Sequence, residues 1–141
     1  MSVREAFISD AEAINQLALE LGYSCSSIAA TKQRLSDIIS TTNDKVWVFE
    51  RQGSVVGWLH AFVALKLASP SFVEIGGLVV DSTCRRNGIG RSLVEQTQKW
   101  AKEKALNVRV RCNTERENSH LFYRSAGFTT VKSQHVFESN L

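Results

Sequence analysis

The sequence predicts a single α+β domain spanning residues 1–141. Three observations indicate this class. Apolar runs typical of strands occupy the middle of the chain, amphipathic helical periodicity lies on both sides of them, and no internal repeat or linker divides the sequence. A chain of this length can bury roughly two thirds of the surface that it exposes when unfolded, so a well-packed core is expected.

The N-terminal part is predicted to form one strand and two helices. Val3 to Phe7 is the strand candidate, and the capping box Ser9-Asp10-Ala11-Glu12 predicts a helix that runs through Leu21. A second helix is predicted over Ser26 to Ser40. Its inner face is expected to carry four apolar side chains: Ile28, Leu35, Ile38 and Ile39.

Three β-rich runs follow these helices. The first two, Lys45 to Arg51 and Ser54 to Leu65, are separated by Gln52-Gly53, which predicts a tight hairpin. The third is Phe72 to Val80, and it contains the pair Gly76-Gly77. Two glycines weaken a strand unless the fold uses them, so we expect either a β-bulge or a ligand that approaches the backbone closely.

The C-terminal part is predicted to alternate between helices and strands. An amphipathic helix is expected over Gly88 to Lys104 and a strand over Asn107 to Cys112. The capping box Thr114-Glu115-Arg116-Glu117 predicts a short helix that Gly127 ends. Two closing strands are expected, over Phe128 to Val131 and Gln134 to Glu138.

Composition and charge argue against several classes of function. The net charge is +3, and the basic residues form neither a tract nor a patch interleaved with aromatic residues, so nucleic-acid binding has little support. Cys25, Cys84 and Cys112 are widely spaced and lack histidines at ligand spacing, which argues against a disulfide framework and a metal site. No signal pattern or membrane-length apolar run is present. We expect a cytoplasmic protein that holds no metal and binds neither nucleic acid nor membrane.

The stretch from Val79 to Leu93 predicts a phosphate cradle, because an apolar strand turns there through a basic, glycine-bearing loop into a helix. Gly88 and Gly90 are expected to adopt positive φ and to gather backbone N–H groups at the positive end of the helix dipole. Arg85, Arg86 and Arg91 add charge suited to several phosphates. The loop has neither the GxxxxGK[ST] pattern of nucleoside triphosphate loops nor the third glycine of the dinucleotide fingerprint.

Two motifs resemble one known family. Arg85-x-x-Gly88-x-Gly90 after an apolar strand resembles the acetyl-CoA pyrophosphate loop of the GCN5-related N-acetyltransferases (GNAT), whose pattern is [Gln/Arg]-x-x-Gly-x-[Gly/Ala]. The segment from Asn118 to Phe128 resembles the C-terminal motif of the same family, with Tyr123 and Gly127 in the expected register. Either Asn113 or Asn118 corresponds to the asparagine of that motif.

The resemblance implies the acyl-CoA N-acyltransferase fold, a mixed and mostly antiparallel twisted sheet with helices on both faces. It also implies that acetyl-CoA is the cosubstrate and lies between two splayed parallel strands. The residues implied to bind it are Leu78, Val79, Val80, Arg85, Arg86, Asn87, Gly88, Ile89, Gly90, Arg91, Ser92, Asn113, Asn118, Phe122 and Tyr123.

Two catalytic residues are implied by the same resemblance. Glu74, eleven residues before Arg85, matches a glutamate that serves many members as the general base, and Tyr123 matches the acid that protonates the coenzyme thiolate. Each residue also has a structural alternative. Glu74 is as readily a solvent-facing or ion-paired strand residue, and Tyr123 is alternatively an aromatic residue of the core. His60 and His120 are interpreted as structural or surface histidines.

The expected function is transfer of the acetyl group of acetyl-CoA to a primary amine of a small molecule, directly within a ternary complex. The chain looks most like members of the family that act on aminoglycosides or aminoalkylphosphonates. Acetylation of a peptide or protein amine is one alternative, and a non-catalytic sensor that binds acyl-CoA is another. A homodimer is also expected, because a sheet of this size leaves edges to cover.

Overall fold

The computed structural model describes residues 2–20, 22–23, 27–85, 87–112 and 116–140. The chain forms two compact units, residues 1–110 and 111–141. Whether residues 1–141 act as one domain stays a prediction. The first unit contains β1 (Ser2–Glu5), α1 (Ala11–Glu20), α2 (Ile28–Ile39), β2 (Asp44–Arg51), β3 (Ser54–Ala64), β4 (Phe72–Val80), α3 (Ile89–Glu103) and β5 (Val108–Val110), with short 3-10 turns at Ile8–Asp10 and Ser82–Cys84.

The five strands form one mixed sheet in the order β1-β2-β3-β4-β5. Neighbours from β1 to β4 are antiparallel, and β4 pairs with β5 in parallel. The hairpin between β2 and β3 turns at Gln52 and Gly53, whose φ angles of 53° and 78° match the right-handed twist of the strands that they join. The predicted hairpin and the mostly antiparallel sheet are therefore confirmed.

Helices cover both faces of the sheet. On the α3 face, Trp47 of β2 meets Trp100 of α3 edge-on with ring centroids 5.7 Å apart. On the opposite face, which we call the α1/α2 face, Val46 and Val48 pack with Ile14 of α1. Each face thus buries one side of the alternating strand residues, as the sequence pattern predicts.

The start of α1 differs from the predicted capping box. The Asp10 carboxylate accepts the N–H of Phe7 at 2.7 Å, and the same carboxylate binds Arg4 at 2.8 Å. Asp10 therefore closes the 3-10 turn Ile8–Asp10 one step before α1 begins, and a cap at Ser9 does not form. The ion pair with Arg4 orients Asp10 in this turn, whereas the local sequence alone predicts that Ser9 caps the helix.

Helix α2 begins at Ser27, whose hydroxyl accepts the N–H of Ala30 at 3.0 Å. Leu35 is buried, as predicted, and Ile38 packs against the same apolar cluster. The placement of Ile28 and Ile39 on the inner face is wrong, because they are 48% and 40% exposed. Both lie in the terminal turns of the helix, where the sheet no longer covers them.

Strand β4 contains the predicted bulge. His60 of β3 is opposite Gly77, and Ala61 is opposite Ile75, so Gly76 has no counterpart. Over this stretch β4 therefore has one residue more than β3, which defines a β-bulge. The bulge divides β4 into a first part that pairs with both neighbours and a second part that pairs only with β3.

The second unit contains one helix, α4 (Glu117–Ser125), among its described residues. Gly127 ends it with a φ of 94°, as predicted. The predicted closing strands are wrong, because residues 128–140 form neither helix nor strand. Their apolar side chains Val131, Val136 and Phe137 stay exposed. Alternation alone does not stabilise a strand, which needs a hydrogen-bonded neighbour.

Candidate functional site

The predicted cradle begins where β4 ends. The Asp81 carboxylate accepts the N–H of Thr83 at 2.9 Å and its hydroxyl at 2.8 Å, which turns the chain out of the sheet. These hydrogen bonds lower the pKa of Asp81, and the bond from the Thr83 N–H contributes more than the bond from its hydroxyl. The carboxylate is thereby held in a local turn, and the chain leads on to the arginine-bearing loop.

Gly88 starts α3 in the left-handed conformation, with φ 75°. This confirms the prediction of positive φ at Gly88. The same prediction for Gly90 is wrong, because Gly90 lies inside the first turn of α3 with helical backbone.

The first turn of α3 presents backbone N–H groups at its end. The N–H and the hydroxyl of Ser92 both bond to the carbonyl of Gly88, each at 2.9 Å. The N–H groups of Ile89, Gly90 and Arg91 precede that first helical bond and point out of the end of the helix. The Ile89 side chain is buried and holds the end of α3 against the sheet. Such a helix end binds anions through its N–H groups and its dipole.

Positive side chains surround this helix end. Arg85 and Arg91 are exposed, and Asn87 beside them is exposed as well. Arg91 also forms an ion pair along α3 with Glu95 at 3.5 Å, a surface contact worth little energy. No acidic residue lies in the first turn of α3. Arg86 lies outside the described residues.

The second half of β4 has a backbone edge that no strand of the described sheet pairs with. Pairing with β5 ends at Ile75, whereas β4 continues to Val80. We call residues 76–80 of β4 the open edge. Pairing between the two parallel strands stops here because β5 ends at Val110. The splayed strands that the family resemblance implies stay a prediction.

The hydrogen-bond pattern assigns which backbone groups face the open edge. The Asp81 N–H donates to the Val56 carbonyl at 2.8 Å, and antiparallel pairing alternates from there. The N–H groups of Val79 and Gly77 therefore face β3, and those of Leu78 and Val80 face the open edge. Of the three β4 residues predicted to contact the coenzyme, Leu78 and Val80 present their backbone there, and Val79 does not.

Glu74 lies on the α1/α2 face of β4 in the part that is paired on both sides. It is half-buried, opposite Phe62 of β3 and beside Arg109 of β5. The Arg109 guanidinium stacks over the ring of Phe72, 4.4 Å from its centroid. Glu74 thus lies next to the positive charge of Arg109, two residues before the bulge.

The glycine pair of the bulge lies below side chains of β3 that a Cβ atom would contact tightly. A Cβ at Gly77 would lie 3.0 Å from the Trp58 ring, and one at Gly76 would lie 3.1 Å from Nδ1 of His60. His60 in turn binds Asp44 through Nε2 at 2.8 Å. Sequence reasoning missed this pair. One signal in the sequence is that His60 alternates with Trp58 and Phe62 along β3, which places it on the same face as these two rings, over the two glycines of β4.

The remaining predicted residues belong to the second unit. Tyr123 is half-buried in α4, with ring centroids 5.0 Å from Phe122 and 5.6 Å from Phe128. Asn118 is exposed in the first turn of the same helix, and Asn113 lies outside the described residues. Burial raises the pKa of the nearby Cys112 thiol, and the charge of Arg116 opposes that shift.

Comparison with known families decides the assignment. Residues 11–128 match the model of the acetyltransferase (GNAT) family. The chain belongs to the GNAT family. It is therefore an acetyl-CoA-dependent acyltransferase by family, as the two sequence motifs indicate. No curated protein sequence matches the chain.

Solved structures share the fold of this GNAT protein. It is similar to aminoglycoside antibiotic 6'-N-acetyltransferase AAC(6')-IG from Acinetobacter haemolyticus, with 17% identity, a TM-score of 0.86, and coverage of 100% of this chain and 99% of that chain. AAC(6')-Iy, solved with the bisubstrate analog CoA-S-monomethyl-acetylneamine, has 16% identity and a TM-score of 0.86, with 99% and 98% coverage. A transcriptional regulator from Bacillus halodurans has 22% identity and a TM-score of 0.87, with 98% and 99% coverage.

Two further observations concern metal sites and membrane spans. The described residues contain no group of three or more histidine, cysteine, aspartate or glutamate side chains able to hold a metal ion. Within the same residues, no helix combines the length and the apolar character that a membrane crossing requires.

Proposed function

We propose that this GNAT protein transfers the acetyl group of acetyl-CoA to a primary amine of a small molecule, directly within a ternary complex. The observation that carries the proposal is the left-handed turn at Gly88, which opens the N-terminus of α3 just beyond the open edge of β4. Coenzyme A contains a diphosphate, which accepts hydrogen bonds, and an extended arm with amide groups. One continuous stretch of chain therefore offers donors suited to each.

The residues of the cradle fit the coenzyme. The N–H groups of Ile89, Gly90 and Arg91 suit the diphosphate, with Arg85 and Arg91 supplying charge around it. The N–H and carbonyl groups of Leu78 and Val80 suit the amide-bearing arm. One of these N–H groups also suits the negative charge that develops on the thioester carbonyl oxygen during transfer.

Tyr123 and Glu74 are the proposed contributors to proton transfer. Tyr123 is proposed to donate its phenolic proton to the departing thiolate. Glu74 is proposed to act toward the amine, and two roles are open to its carboxylate. It either receives the proton of the amine, directly or through water, or holds the ammonium form by charge.

The substrate proposal is a cationic small molecule. Two carboxylates, Asp44 of β2 and Glu74 of β4, lie on the α1/α2 face on either side of Phe62 of β3, and such charge attracts ammonium groups. Two of the solved structures with this fold are aminoglycoside acetyltransferases. We therefore propose that the acceptor carries at least one amine that is protonated in solution.

The first experiment measures coenzyme binding. Calorimetry at low salt is expected to detect uptake of acetyl-CoA and of CoA by the wild-type protein. Arg85→Ala should weaken that uptake, since it removes a charge from the cradle. Lys99→Ala is the matched control, because it removes one positive charge about 15 Å further along the same helix. No uptake by the folded wild-type protein would refute the proposed function.

The second experiment identifies the acceptor. Thiol release from acetyl-CoA is measured with neamine, spermidine, aminoethylphosphonate and a lysine-containing peptide. Turnover with any of the first three supports a small-molecule enzyme. Turnover with the peptide alone supports peptide acetylation, and coenzyme binding without any turnover supports an acyl-CoA sensor.

Two further properties stay predictions. β1 is an edge strand of the sheet, and an unpaired edge is commonly covered by a second copy. Sedimentation velocity would test the predicted homodimer. Localisation of a tagged chain would test the predicted cytoplasmic location.

A further inference from the structure

The α1/α2 face carries a linked set of polar side chains, Thr41, Asp44 and His60, in which the proposed function gives His60 no role. The Asp44 carboxylate accepts the hydroxyl of Thr41 at 2.5 Å through Oδ2 and contacts Nε2 of His60 at 2.8 Å through Oδ1. Both carboxylate oxygens are therefore engaged, which fixes the orientation of the carboxyl group. The side chains of His60 and Asp44 are 23% and 21% exposed, so the pair is open to solvent on one side.

The contact with Asp44 decides the tautomer of His60. A carboxylate accepts hydrogen bonds, so Nε2 carries the proton and Nδ1 keeps a lone pair. This is the logic by which an aspartate orients a catalytic imidazole, with the two ring nitrogens exchanged. The His60 ring is also held by Phe62, 5.6 Å away between centroids. The imidazole is thus oriented by one polar and one aromatic neighbour.

The free nitrogen of His60 faces the glycine pair of the bulge. Nδ1 lies 3.1 Å from the point that a Cβ of residue 76 would occupy. Gly76 has no side chain, so at that position β4 places only backbone beside Nδ1. Among the described residues Nδ1 has no hydrogen-bond partner. Any residue larger than glycine at position 76 would press against this nitrogen.

His60 also lies beside the start of the open edge. It pairs directly with Gly77, and the next residue of β4 is Leu78, whose N–H faces that edge. Directly opposed residues in antiparallel strands have Cα atoms about 5 Å apart. His60 and the open edge therefore lie on opposite sides of the same short stretch of β4, and the imidazole extends over that strand toward Gly76.

We propose that Nδ1 of His60 accepts the proton of the acceptor amine, and that Asp44 is the residue that positions it. This inference rests on the proposed function. In the step, the ammonium form of the acceptor loses one proton to Nδ1, and the freed amine nitrogen forms a bond to the acetyl carbon while the carbon–sulfur bond breaks. The nitrogen loses its second proton to solvent, and the thiolate takes one proton from Tyr123, which regains it from solvent. The proton on His60 also passes to solvent.

Glu74 then has the other of its two open roles, which is to hold the cationic acceptor. It lies in the doubly paired part of β4 beside Arg109, whereas His60 lies at the bulge where pairing with β5 has ended. The charged groups of the sheet on this face are Asp44, Glu74 and Arg109, together with Arg4 of β1 and Glu50 of β2, which bind each other at 3.2 Å. Over the same face, Asn15 of α1 and Thr31 of α2 bond to each other at 3.0 Å, and Asp10 bonds to Arg4.

The experiment uses the full chain and the panel amine with the highest kcat/KM. His60→Gln keeps a donor for Asp44 but has no basic nitrogen. We expect kcat to fall about 100-fold and the acidic limb of the pH profile to disappear, with the CoA Kd within twofold of wild type. His60→Ala should regain turnover when imidazole is added. Glu74→Gln should keep the acidic limb and raise KM for the amine.

Two controls separate chemistry from structure. Asp44→Asn should lower kcat about tenfold and give a mixture of imidazole tautomers by nitrogen-15 NMR, where the wild type gives only the form protonated at Nε2. His135→Gln, in the exposed C-terminal segment, should leave kcat and the pH profile unchanged.

The outcomes distinguish this inference from the proposed function. If the wild type binds CoA and turns over an amine, but His60→Gln keeps the acidic limb and a kcat within threefold, the role of His60 is overturned. The role is equally overturned if kcat falls only in proportion to a loss of folded protein and imidazole restores nothing. If the wild type neither binds CoA nor turns over any amine, the proposed function itself is overturned, and the role of His60 with it.

Discussion

Replacement of Gly88 by alanine tests the cradle, because the residue combines a left-handed backbone with open space. Its φ is 75°, and a Cβ placed on it meets no atom within 4 Å. The substitution therefore introduces backbone strain without a steric clash. An L-residue in the left-handed region costs about 1–2 kcal/mol relative to the right-handed one. That value sets the size of the expected effect.

The strain can appear in either of two measurements. If the loop keeps its shape, the free energy of unfolding falls by about 1–2 kcal/mol. If the loop relaxes in the free protein, coenzyme binding must restore the turn, and the Kd for CoA rises by about 5- to 30-fold. We expect the second outcome, because exposed loops relax more readily than packed elements. Asparagine at position 88, which tolerates this conformation, should show a smaller rise.

Gly53 provides the matched control. It has a φ of 78° and likewise no atom within 4 Å of a built Cβ, but it lies in the β2–β3 hairpin turn. Gly53→Ala should lower the free energy of unfolding and leave the CoA Kd unchanged. Calorimetry gives the Kd and urea titration the unfolding free energy. An unchanged Kd in Gly88→Ala, with a loss of stability equal to that of Gly53→Ala, would refute the expectation that the loop relaxes and that coenzyme binding restores the turn.

Three other substitutions test other parts of the molecule. Tyr123→Phe should lower turnover about tenfold or more with the CoA Kd within twofold, measured by thiol release and calorimetry, and unchanged turnover would remove Tyr123 as the acid. Asp10→Asn should lower the free energy of unfolding at neutral pH by about 2 kcal/mol. Burial alone would raise the pKa of Asp10, but the hydrogen bonds from Arg4 and from the Phe7 N–H hold it below its ordinary value of 3.8. Because the folded form has the lower pKa, this stabilisation is complete above about pH 3.8 and is lost as the pH falls further, so urea titrations of wild type and variant should converge there. Leu93→Ala, at a fully buried position of α3, should cost about 3 kcal/mol by the same assay, and a loss below 1 kcal/mol would contradict its place in the core.

The sequence predicted those features that local chemistry decides. Gln52-Gly53 specifies its own turn, and a strand followed by a glycine-bearing basic loop specifies a helix end that binds anions. The bounds of β4 were predicted to the residue, since Pro70 and Asp81 punctuate the chain near both of its ends. In each case, neighbours in sequence supply the deciding contacts.

Features that depend on distant partners were not predictable in this way. The bond between His60 and Asp44 joins residues sixteen apart in sequence, and it exists only because β2 and β3 pair in one register. The Asp10 carboxylate closes the turn before α1, where Arg4 of β1 also binds it. Alternation in residues 128–138 predicted strands, yet alternation specifies which face is apolar and not whether a partner strand is present.

The glycine pair of β4 links the two halves of the proposed chemistry. Before the bulge, Val73 turns its N–H toward β5, and donates to the Asn107 carbonyl at 2.8 Å. Strict alternation from that residue would give the open edge to Gly77 and Val79. The extra residue reverses the order and gives it to Leu78 and Val80, while the lack of side chains at Gly76 and Gly77 lets His60 and Trp58 pack over them on the α1/α2 face. In the proposed mechanism, a single inserted residue thus sets both which N–H groups meet the coenzyme and where the imidazole lies that takes the proton of the acceptor, so both depend on one irregularity of the sheet.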